Sequence, residues 1–551
     1  MIFQKILKFI NKETSGLHQA AYLLGLFSIA SQVLGLLRDR LLATTFGAGH
    51  ALDIYYASFR IPDFIFITVG SMVSVSVLIP FLVEKMKSGE DAGKKFINNI
   101  FLFFFLIIVV TSTIVFIFLN PLSSALFPGF NGEELNQLVA LTRVMLLSPI
   151  FLGLSNIFGT LTQTYKRFLL YALCPILYNG GIIVGILFFY PIFGLIGLVY
   201  GVILGSILHF AIQIPFIIEN KFLPKLHFNF NFPEIKKVLL MSIPRTLTLA
   251  SDSISVMFLL SFASLMTAGS IAIFNFSYNL ESFLLTAVGV SYSLAAFPVL
   301  IKLHSEGKTA EFSEQTVSTA KHVIFWSIPI ATLFIILRVP IVQTILGAGQ
   351  FNQDQTNLTA AALAAFVISI ACQNLTLLFV RAYYAVGNTL KPFIAKFLNA
   401  LTTILLGYLF MKYYEQSIPF QQLLGNLFGI KNLAGAIVLT LPLGWSVGEI
   451  LNTIALWFVF ERDFRHFSKP VLYSLLQVVV ASAGIGLVAY IGLPIFGQFF
   501  NLQTSLGAFL QGFCAGMISI FVGIGLFILM KNSELLEAWK LIRRKIFRQR
   551  A

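Results

Sequence analysis

The chain has 551 residues, of which 57% are hydrophobic and only 11% are charged. Soluble domains carry about 25% charged residues, so this composition excludes a soluble globular enzyme. The formal net charge of +14 could indicate nucleic-acid binding. The basic residues fall in short stretches between apolar runs, however, so they report membrane topology and no nucleic-acid partner is expected.

Apolar runs of about 20 residues recur along the chain, and each is long enough to cross about 30 Å of hydrocarbon. Such runs form helices in lipid, because a helix satisfies its own backbone hydrogen bonds. The sequence therefore predicts an all-α integral membrane protein with about fourteen transmembrane helices. The predicted spans, numbered in chain order, are 20–46, 54–83, 96–119, 137–164, 169–190, 194–218, 236–262, 268–301, 317–337, 356–386, 393–411, 433–460, 471–491 and 505–530.

The two ends of the chain differ from the spans. Within residues 1–19, apolar side chains alternate with lysines, a pattern typical of an amphipathic helix lying on the membrane surface. A disordered basic tail is the alternative for this segment. Residues 531–551 are rich in lysine and arginine and are predicted to form a basic cytoplasmic tail that lies against anionic lipid.

Lysine and arginine are distributed unevenly between the two sides of the predicted spans. If the N-terminus is cytoplasmic, 28 of the 37 basic residues fall in cytoplasmic stretches, Lys391 and Lys396 among them. Only Arg338, Lys412 and Lys431 fall on the opposite side. The positive-inside rule then places both termini in the cytoplasm, which requires an even number of spans. The remaining basic residues lie inside spans and are Arg38, Arg40, Arg60, Arg143, Arg245 and Arg381.

The chain resembles itself at an offset of about 218 to 220 residues. Among the corresponding positions are Tyr165 with Tyr383 and Asn179 with Asn399. We therefore predict two related six-helix lobes, an N-lobe at 20–218 and a C-lobe at 236–460, followed by two C-terminal helices within 471–530. Paired lobes around a midplane site are a common transporter plan, although apolar helices also resemble one another through composition alone.

Polar and charged residues inside the spans are the candidates for function, because a charge at the bilayer centre costs at least about 2.5–3.5 kcal/mol. Such residues are expected to face a partner or a water-filled cavity. They concentrate in spans 1, 2, 7 and 8, the first pair of helices in each lobe, and predict a central polar cavity of cationic character. The residues concerned are Arg38, Asp39, Asp53, Arg60, Asp63, Arg245, Asp252 and Asn279.

Structural explanations compete for the same residues. Arg38 and Asp39 would also suit an interfacial ion pair in which the long arginine side chain reaches the headgroups. Arg60 and Asp63, three residues apart in span 2, could form a salt bridge that only holds helices together. The sequence leaves both explanations open.

The sequence contains no phosphate-binding Walker loop, dinucleotide fingerprint, HExxH motif or nucleophile elbow. We therefore expect a protein that is not an enzyme, with no catalytic residues, no metal and no cofactor. Transport would have to draw on the membrane potential or on an ion gradient, and the coupling ion is left open.

Two segments near the N-terminus, Ser31–Arg40 and Phe46–Gly49, together with Asp53 and Phe59–Pro62, resemble the MurJ (MviN) family of lipid II flippases in the MOP transporter superfamily. Further similar stretches are Ile243–Leu247, Ala295–Pro298, Gly347–Phe351 and Arg381–Ala385. The resemblance covers essentially the whole chain. It implies a bacterial cytoplasmic membrane protein that carries the undecaprenyl-diphosphate-linked peptidoglycan precursor from the inner to the outer leaflet. Its partners would be lipid II, membrane lipids and, less directly, cell-wall synthesis enzymes.

The resemblance also suggests site residues. The family's cavity arginine and aspartate of span 1 fall on Arg38 and Asp39, and its aspartate after the first loop falls on Asp53. Members of the family carry arginines where this chain has Gln32, Phe66 and Asn279. Either neighbouring arginines supply the missing charge or the substrate differs. The predicted substrate-binding residues are Arg38, Asp39, Asp53, Arg60, Arg245 and Asn279.

The favoured function is a lipid II flippase that works by alternating access. Guanidinium groups suit a diphosphate because they stay charged and bind it through paired N–H groups. Two alternatives are a flippase for another lipid-linked oligosaccharide and a multidrug-type MOP exporter, which would prefer an acidic cavity for cationic drugs. A membrane scaffold that transports nothing would not need charges inside four helices.

Overall fold

The computed structural model describes residues 17–73, 75–225, 230–431, 433–537 and 539. Every regular element within these ranges is a helix, which confirms the predicted all-α class. Residues 1–16 and 540–551 lie outside the described residues, and with them most of the predicted amphipathic segment and basic tail.

Within the described residues, eleven helices are long and apolar enough to cross a membrane. The number rises to thirteen if each of two bent helix pairs is counted as one span. The bent pairs are His50–Thr68 with Gly70–Lys87 and Gln353–Val367 with Ile370–Ala385, each bent by 43°. Leu17–Phe46, at predicted span 1, is not among these thirteen. The multi-pass membrane architecture is therefore confirmed, whereas the number fourteen is not.

The chain divides into two compact units. Among the described residues, the first unit comprises those up to Leu42 together with Gly49–Ile271, and the second comprises Ala43–Ala48 and those from Ala272 onward. The division into lobes at 20–218 and 236–460 stays a prediction. Helices that lie mainly in the first unit are Leu17–Phe46, His50–Ser58, Arg60–Thr68, Val75–Lys87, Glu90–Ile117, Leu119–Leu126, Gly132–Met145, Leu147–Thr164, Phe168–Val184, Tyr190–Phe193, Leu195–Ala211, Ile214–Glu219 and Phe232–Ser264.

The second unit contains the rest of the described helices. These are Ser270–Leu284, Ser291–Ser305, Thr309–Ile336, Arg338–Ile345, Gln353–Val367, Ile370–Ala385, Leu390–Gln416, Ile418–Phe428, Thr440–Phe464, Ser468–Gly497 and Ser505–Leu529. Short 3-10 turns lie at Gly70–Val73 and Ala436–Leu439, and single π-helical turns lie at Gly185–Phe189 and Leu285–Val290. The helices Ser468–Gly497 and Ser505–Leu529 coincide closely with predicted spans 13 and 14.

Glycines allow two helices of the first unit to approach closely. A Cβ atom added to Gly181 would lie 2.3 Å from the Cα of Gly205, and one added to Gly201 would lie 2.5 Å from the Cα of Gly185. Spacing of small residues by four positions is a common way for helices to pack in lipid, where attraction comes from close contact. The glycine-rich sequence of predicted spans 5 and 6 therefore fixes this pair.

Aromatic side chains fill much of the remaining core in each unit. In the first unit the ring of Phe158 stacks on Phe101 and Phe210, at centroid distances of 5.4 and 5.0 Å. In the second unit Phe460 packs against Phe379 and Phe464, at 5.1 and 4.5 Å. Because lipid is as apolar as the core, such packing, rather than exclusion from water, holds the helices in place.

Candidate cationic site

Arg38 lies near the C-terminal end of the helix Leu17–Phe46 and is held by two partners in the first unit. Its Nε and Nη2 groups donate to Asp39 Oδ1 at 2.9 and 2.7 Å, and its Nη1 group donates to Asn179 Oδ1 at 3.3 Å. The Arg38 side chain retains 22% exposure, against 5% for Asp39. Asn179 is fixed in turn, because its Nδ2 donates to Ser31 Oγ at 3.3 Å and to the carbonyl of Pro175 at 3.1 Å.

Three tyrosines interact electrostatically with Arg38. Tyr55 and Tyr56, on the helix His50–Ser58, are buried, and Tyr178 comes from the helix Phe168–Val184. The guanidinium of Arg38 lies close enough to interact electrostatically with the hydroxyl groups of all three tyrosines. Spans 1, 2 and 5 therefore contribute to one polar cluster inside the first unit.

Arg60 and Asp63 extend the cluster along span 2. The Nε group of Arg60 donates to the carbonyl of Tyr56 at 3.3 Å, and its charge reaches Asp63 and the hydroxyl of Tyr56. Both residues are half-buried. Arg60 and Arg38 therefore lie in the same neighbourhood, because both interact with Tyr56.

Asp53 is buried at the start of span 2. It lies in the first turn of the helix His50–Ser58 and is only 4% exposed. Its Oδ2 accepts a hydrogen bond from the backbone N–H of Gly269 at 2.6 Å. This contact joins the start of span 2 to the loop after the helix Phe232–Ser264, and the role of Asp53 in substrate binding stays a prediction.

Arg245 lies on the helix Phe232–Ser264, which packs against the broken part of span 2. Thr246 Oγ1 lies 3.1 Å from Ser71 Oγ, and Ser242 Oγ donates to the carbonyl of Met72 at 2.8 Å. Arg245 itself is half-buried. Its participation in the Arg38 cluster stays a prediction.

Asn279 belongs to the second unit, on the helix Ser270–Leu284, and is half-buried. Two residues further along the same helix, Glu281 is 1% exposed and accepts a hydrogen bond from Gln373 Nε2 at 2.6 Å. The sequence analysis placed Asn279 among the predicted site residues, whereas Glu281 was not among them. Asn279 and Glu281 share one helix, and the role of Asn279 in binding stays a prediction.

Lys396 corrects one part of the topology argument. The sequence placed it among the cytoplasmic loop residues, but it lies inside the helix Leu390–Gln416 and is 9% exposed. Its Nζ donates to Glu449 Oε1 at 3.2 Å. A lysine in a buried ion pair reports nothing about which side of the membrane a loop faces, so it drops out of the charge count.

Sequence reasoning missed the tyrosines of the first-unit cluster and also Asn179. The repeat had marked it as a corresponding position, but nothing in its local sequence identifies it as a partner of Arg38, 141 residues away. One signal was present: an amide side chain inside an apolar span has to find a partner, because an unsatisfied polar group in lipid is costly. That argument predicts that Asn179 has a polar partner, but it does not identify the partner as Arg38.

The cluster suits an anionic ligand. The three bonds of Arg38 use three of the five N–H groups of a guanidinium, so within the described part of the chain two remain for ligand oxygens. Tyrosine hydroxyls can donate further hydrogen bonds to phosphate or sugar oxygens. Asp39 offsets part of the positive charge, however, so the strength of the site depends on what the neighbouring arginines add.

Comparison with solved structures identifies the fold as that of MOP transporters. An inward-facing multidrug-resistance MATE transporter of the MOP superfamily aligns with a TM-score of 0.62 and 14% identity, covering 82% of this chain and 95% of that one. A solved lipid II flippase MurJ in an inward closed conformation aligns with a TM-score of 0.72 and 24% identity, covering 92% of this chain and all of the other. At these identities the likeness shows the fold alone.

The sequence identifies the family. Residues 42–509 match the family described as lipid II flippase MurJ, and the chain belongs to this family of transporters. The lipid II flippase MurJ of Burkholderia cenocepacia is 25% identical over 440 residues, which is 78% of this chain and 81% of that protein. The probable lipid II flippase MurJ of Rickettsia prowazekii is 23% identical over 494 residues, 87% of this chain and 96% of that protein. The resemblance stated from the sequence is confirmed.

Proposed function

We propose that this protein translocates lipid II, the undecaprenyl-diphosphate-linked peptidoglycan precursor, from the inner to the outer leaflet of the bacterial cytoplasmic membrane. The observation that carries the proposal is the family match over residues 42–509. Relatives whose sequences align over most of this chain are named as lipid II flippases. Translocation would proceed by alternating access, with cell-wall synthesis enzymes supplying and consuming the lipid.

Arg38 is the proposed first contact for the diphosphate. Its guanidinium is held in position by Asp39 and Asn179 while 22% of its side chain stays accessible. A planar guanidinium binds phosphate oxygens through paired N–H groups and stays charged at any physiological pH. Other family members carry arginines at the positions of Gln32, Phe66 and Asn279. In this chain Arg60 and Arg245 would supply the positive charge instead.

The membrane potential supports the direction of transport. A diphosphate that moves outward carries negative charge away from an interior that is itself negative. Each elementary charge that crosses gains about 2.3 kcal/mol per 100 mV. The potential could therefore drive the flipping step with neither a nucleotide nor a bound cofactor.

The orientation that this mechanism needs has both termini in the cytoplasm, as the loop charges favour. Labelling of single cysteines with an impermeant reagent tests it. A cysteine introduced within 120–136 should react from outside the cell, and one introduced within 221–235 should not. The reverse pattern would refute the orientation, although the family assignment would stand.

Reconstitution tests the function itself. The purified protein is placed in vesicles that contain fluorescent lipid II, and the exposed fraction is measured with and without a membrane potential. Arg38→Ala should abolish flipping, whereas Arg38→Lys should retain part of it, because lysine keeps the charge but loses the planar fork. Each variant must remain inserted and folded to be informative.

Two outcomes would count against the proposal. Native protein that moves a cationic dye but not lipid II would favour a multidrug-type exporter. Normal flipping by the triple variant with alanine at Arg38, Arg60 and Arg245 would contradict the proposed binding site, and lipid II flipping would then depend on other residues.

A further inference from the structure

The second unit contains a polar cavity that the proposed binding site does not use. Its volume is about 1090 Å³, which is enough for a small organic ligand. One wall is the N-terminal part of the helix Thr309–Ile336, a second is the turn after the helix Thr440–Phe464, and a third is the segment 533–537. All three walls belong to the second unit, so no residue of the Arg38 cluster contributes to the cavity.

One carboxylate in the cavity wall lacks a hydrogen-bond donor. Glu534 lines the cavity and is only 3% exposed. Its Oε2 atom is buried and accepts no hydrogen bond from any residue that the structure describes. Buried acceptors are nearly always paired, and an unpaired carboxylate oxygen costs more than a neutral one. A ligand that brings a positively charged N–H donor into the cavity would satisfy this oxygen.

The turn in the second wall presents cations from an unusual backbone. Arg465 and His466 line the cavity with positive φ angles of 50° and 58°, which residues other than glycine rarely adopt. Glu461 holds the turn, because its Oε2 accepts hydrogen bonds from the backbone N–H and the hydroxyl of Ser468 at 2.6 and 2.7 Å. The carbonyl of Arg465 accepts another from Ser313 Oγ at 3.1 Å. Strained backbone that surrounding contacts impose is typical of ligand sites.

The charged side chains of the cavity have both signs. Asp463 forms an ion pair with Lys391, and Glu537 Oε2 lies 3.1 Å from His322 Nε2. A ligand with a positive and a negative group suits the remaining charges better than a simple cation or a simple anion does. Guanidinium and ammonium groups favour phosphate as the negative group. The side chains that line the cavity and form no ion pair within the described part of the chain are Glu314, Lys321, Arg465 and Glu534.

An apolar groove of about 720 Å³ continues along the same helix. Residues of the helix Thr309–Ile336 that line the cavity and then the groove recur at spacings of three and four, which places them on one face. The helix Ser468–Gly497 also borders both, through Pro470 at the cavity and Leu472 at the groove. The residues on the shared face are Glu314, Val317 and Lys321 at the cavity, followed by Ile324, Ile328 and Ala331 at the groove.

Trp457 indicates the depth of the two spaces. Its side chain lines the groove, and its Nε1 donates to Ser468 Oγ at 2.8 Å, beside the turn that borders the cavity. Tryptophan is enriched at the membrane interface, where the ring meets lipid and the N–H group meets polar partners. The cavity therefore lies at the level of the headgroups, and the groove lies at the level of the acyl chains. A phospholipid has this sequence of a charged headgroup and an apolar chain.

We propose that the cavity and the groove bind one membrane phospholipid with an ethanolamine headgroup. The headgroup ammonium donates to Glu534 Oε2, its phosphate accepts hydrogen bonds from Arg465 and Lys321, and one acyl chain lies in the groove. This lipid is a bound component of the second unit and is not transported. The proposal therefore does not rest on the flippase function.

Native mass spectrometry of the full-length protein tests the headgroup. The purified protein is titrated with phosphatidylethanolamine and with phosphatidylcholine, whose quaternary ammonium has the same charge but no N–H group. Phosphatidylethanolamine should bind at least about tenfold more tightly, because only its ammonium can form the charge-assisted hydrogen bond to Glu534. Equal affinities of the native protein for the two lipids would overturn the proposal without any variant.

Three variants locate the site. Glu534→Gln should remove the preference for ethanolamine, because a neutral amide attracts the ammonium less. Arg465→Gln should weaken the binding of both lipids, because both carry the phosphate. Glu415→Gln is the matched control, since Glu415 is a 44% exposed carboxylate that does not line the cavity, and it should change neither affinity. A preference for ethanolamine that survives Glu534→Gln would show that the lipid binds elsewhere.

The free headgroup separates a lipid from a soluble zwitterion. Glycerophosphoethanolamine has the same charged groups and no acyl chains, so it should displace phosphatidylethanolamine only weakly. Displacement as strong as that by the lipid would assign the cavity to a soluble zwitterion and overturn the lipid proposal. The expected preferences in a protein that flips no lipid II would support this site and refute only the proposed flippase function.

Discussion

Substitution of two lysines on one helix should lower the stability of the protein by very different amounts. Lys396 and Lys412 both lie on Leu390–Gln416, and each forms an ion pair. The pair of Lys412 with Glu415 is the shorter, at 2.8 Å against 3.2 Å for Lys396 with Glu449. Distance alone would therefore rank the Lys412 pair as the stronger one.

Burial reverses this ranking. The side chains of Lys412 and Glu415 are each 44% exposed, and exposed pairs contribute about 0.2–1 kcal/mol. The side chains of Lys396 and Glu449 are 11% and 1% exposed. Removing one partner of a buried pair costs about 3–5 kcal/mol, because the other charge stays behind without its partner. We therefore expect Lys396→Met to lower the free energy of unfolding several times more than Lys412→Met.

Denaturant unfolding in mixed micelles measures the difference, with methionine chosen because it keeps the unbranched stem. The double variant Lys396→Met with Glu449→Gln should regain most of the lost stability, since a neutral amide replaces the buried carboxylate that has lost this ion pair. Equal losses in the two lysine variants, or a double variant as unstable as the single one, would refute the reasoning.

Two further predictions concern the first unit. Gly181→Ala should prevent the folded protein from accumulating, because its Cβ would lie 2.3 Å from the Cα of Gly205. The control Gly180→Ala should be tolerated, because its Cβ meets nothing within 4 Å. Similar yields of the two variants by size-exclusion chromatography would contradict this packing. Asp53→Ala should destabilise the protein by about 1–3 kcal/mol, because a buried N–H loses its acceptor. An unchanged unfolding midpoint with loss of flipping would instead assign Asp53 to substrate binding.

The sequence predicted the helices well because lipid leaves the chain few choices. A run of about 20 apolar residues has to be helical to satisfy its backbone, and the spans follow from that requirement. The predicted span at 54–83 was less accurate, since the structure divides it into His50–Thr68 and Gly70–Lys87 with a 43° bend. Gly70 marks this break, but a single glycine in an apolar run does not reveal whether the helix continues.

Partners of the buried charges could not be predicted in the same way. Periodicity showed which residues share a face of one helix, and it drew attention to Arg38 and Arg60. It could not show that Arg38 contacts Asn179, or that Lys396 belongs with Glu449, because these contacts join distant parts of the chain. Lys396 was misplaced for a related reason: a lysine near the end of a span looks the same whether it reaches the headgroups or an internal carboxylate.

The repeat offset connects the two charge clusters. Asn179 and Asn399 are corresponding positions, and each contacts a charged pair within its own unit, Arg38 with Asp39 in one case and Lys396 with Glu449 in the other. Arg38 keeps 22% exposure, whereas Lys396 keeps 11%. A guanidinium that is partly open can meet a large anion, whereas the Lys396 ammonium is enclosed beside Glu449. We therefore expect Asn179 to support substrate binding and Asn399 to support the packing of the second unit. Asn179→Leu should then weaken lipid II binding in the reconstituted protein, whereas Asn399→Leu should lower the unfolding midpoint, because Glu449 loses a buried donor.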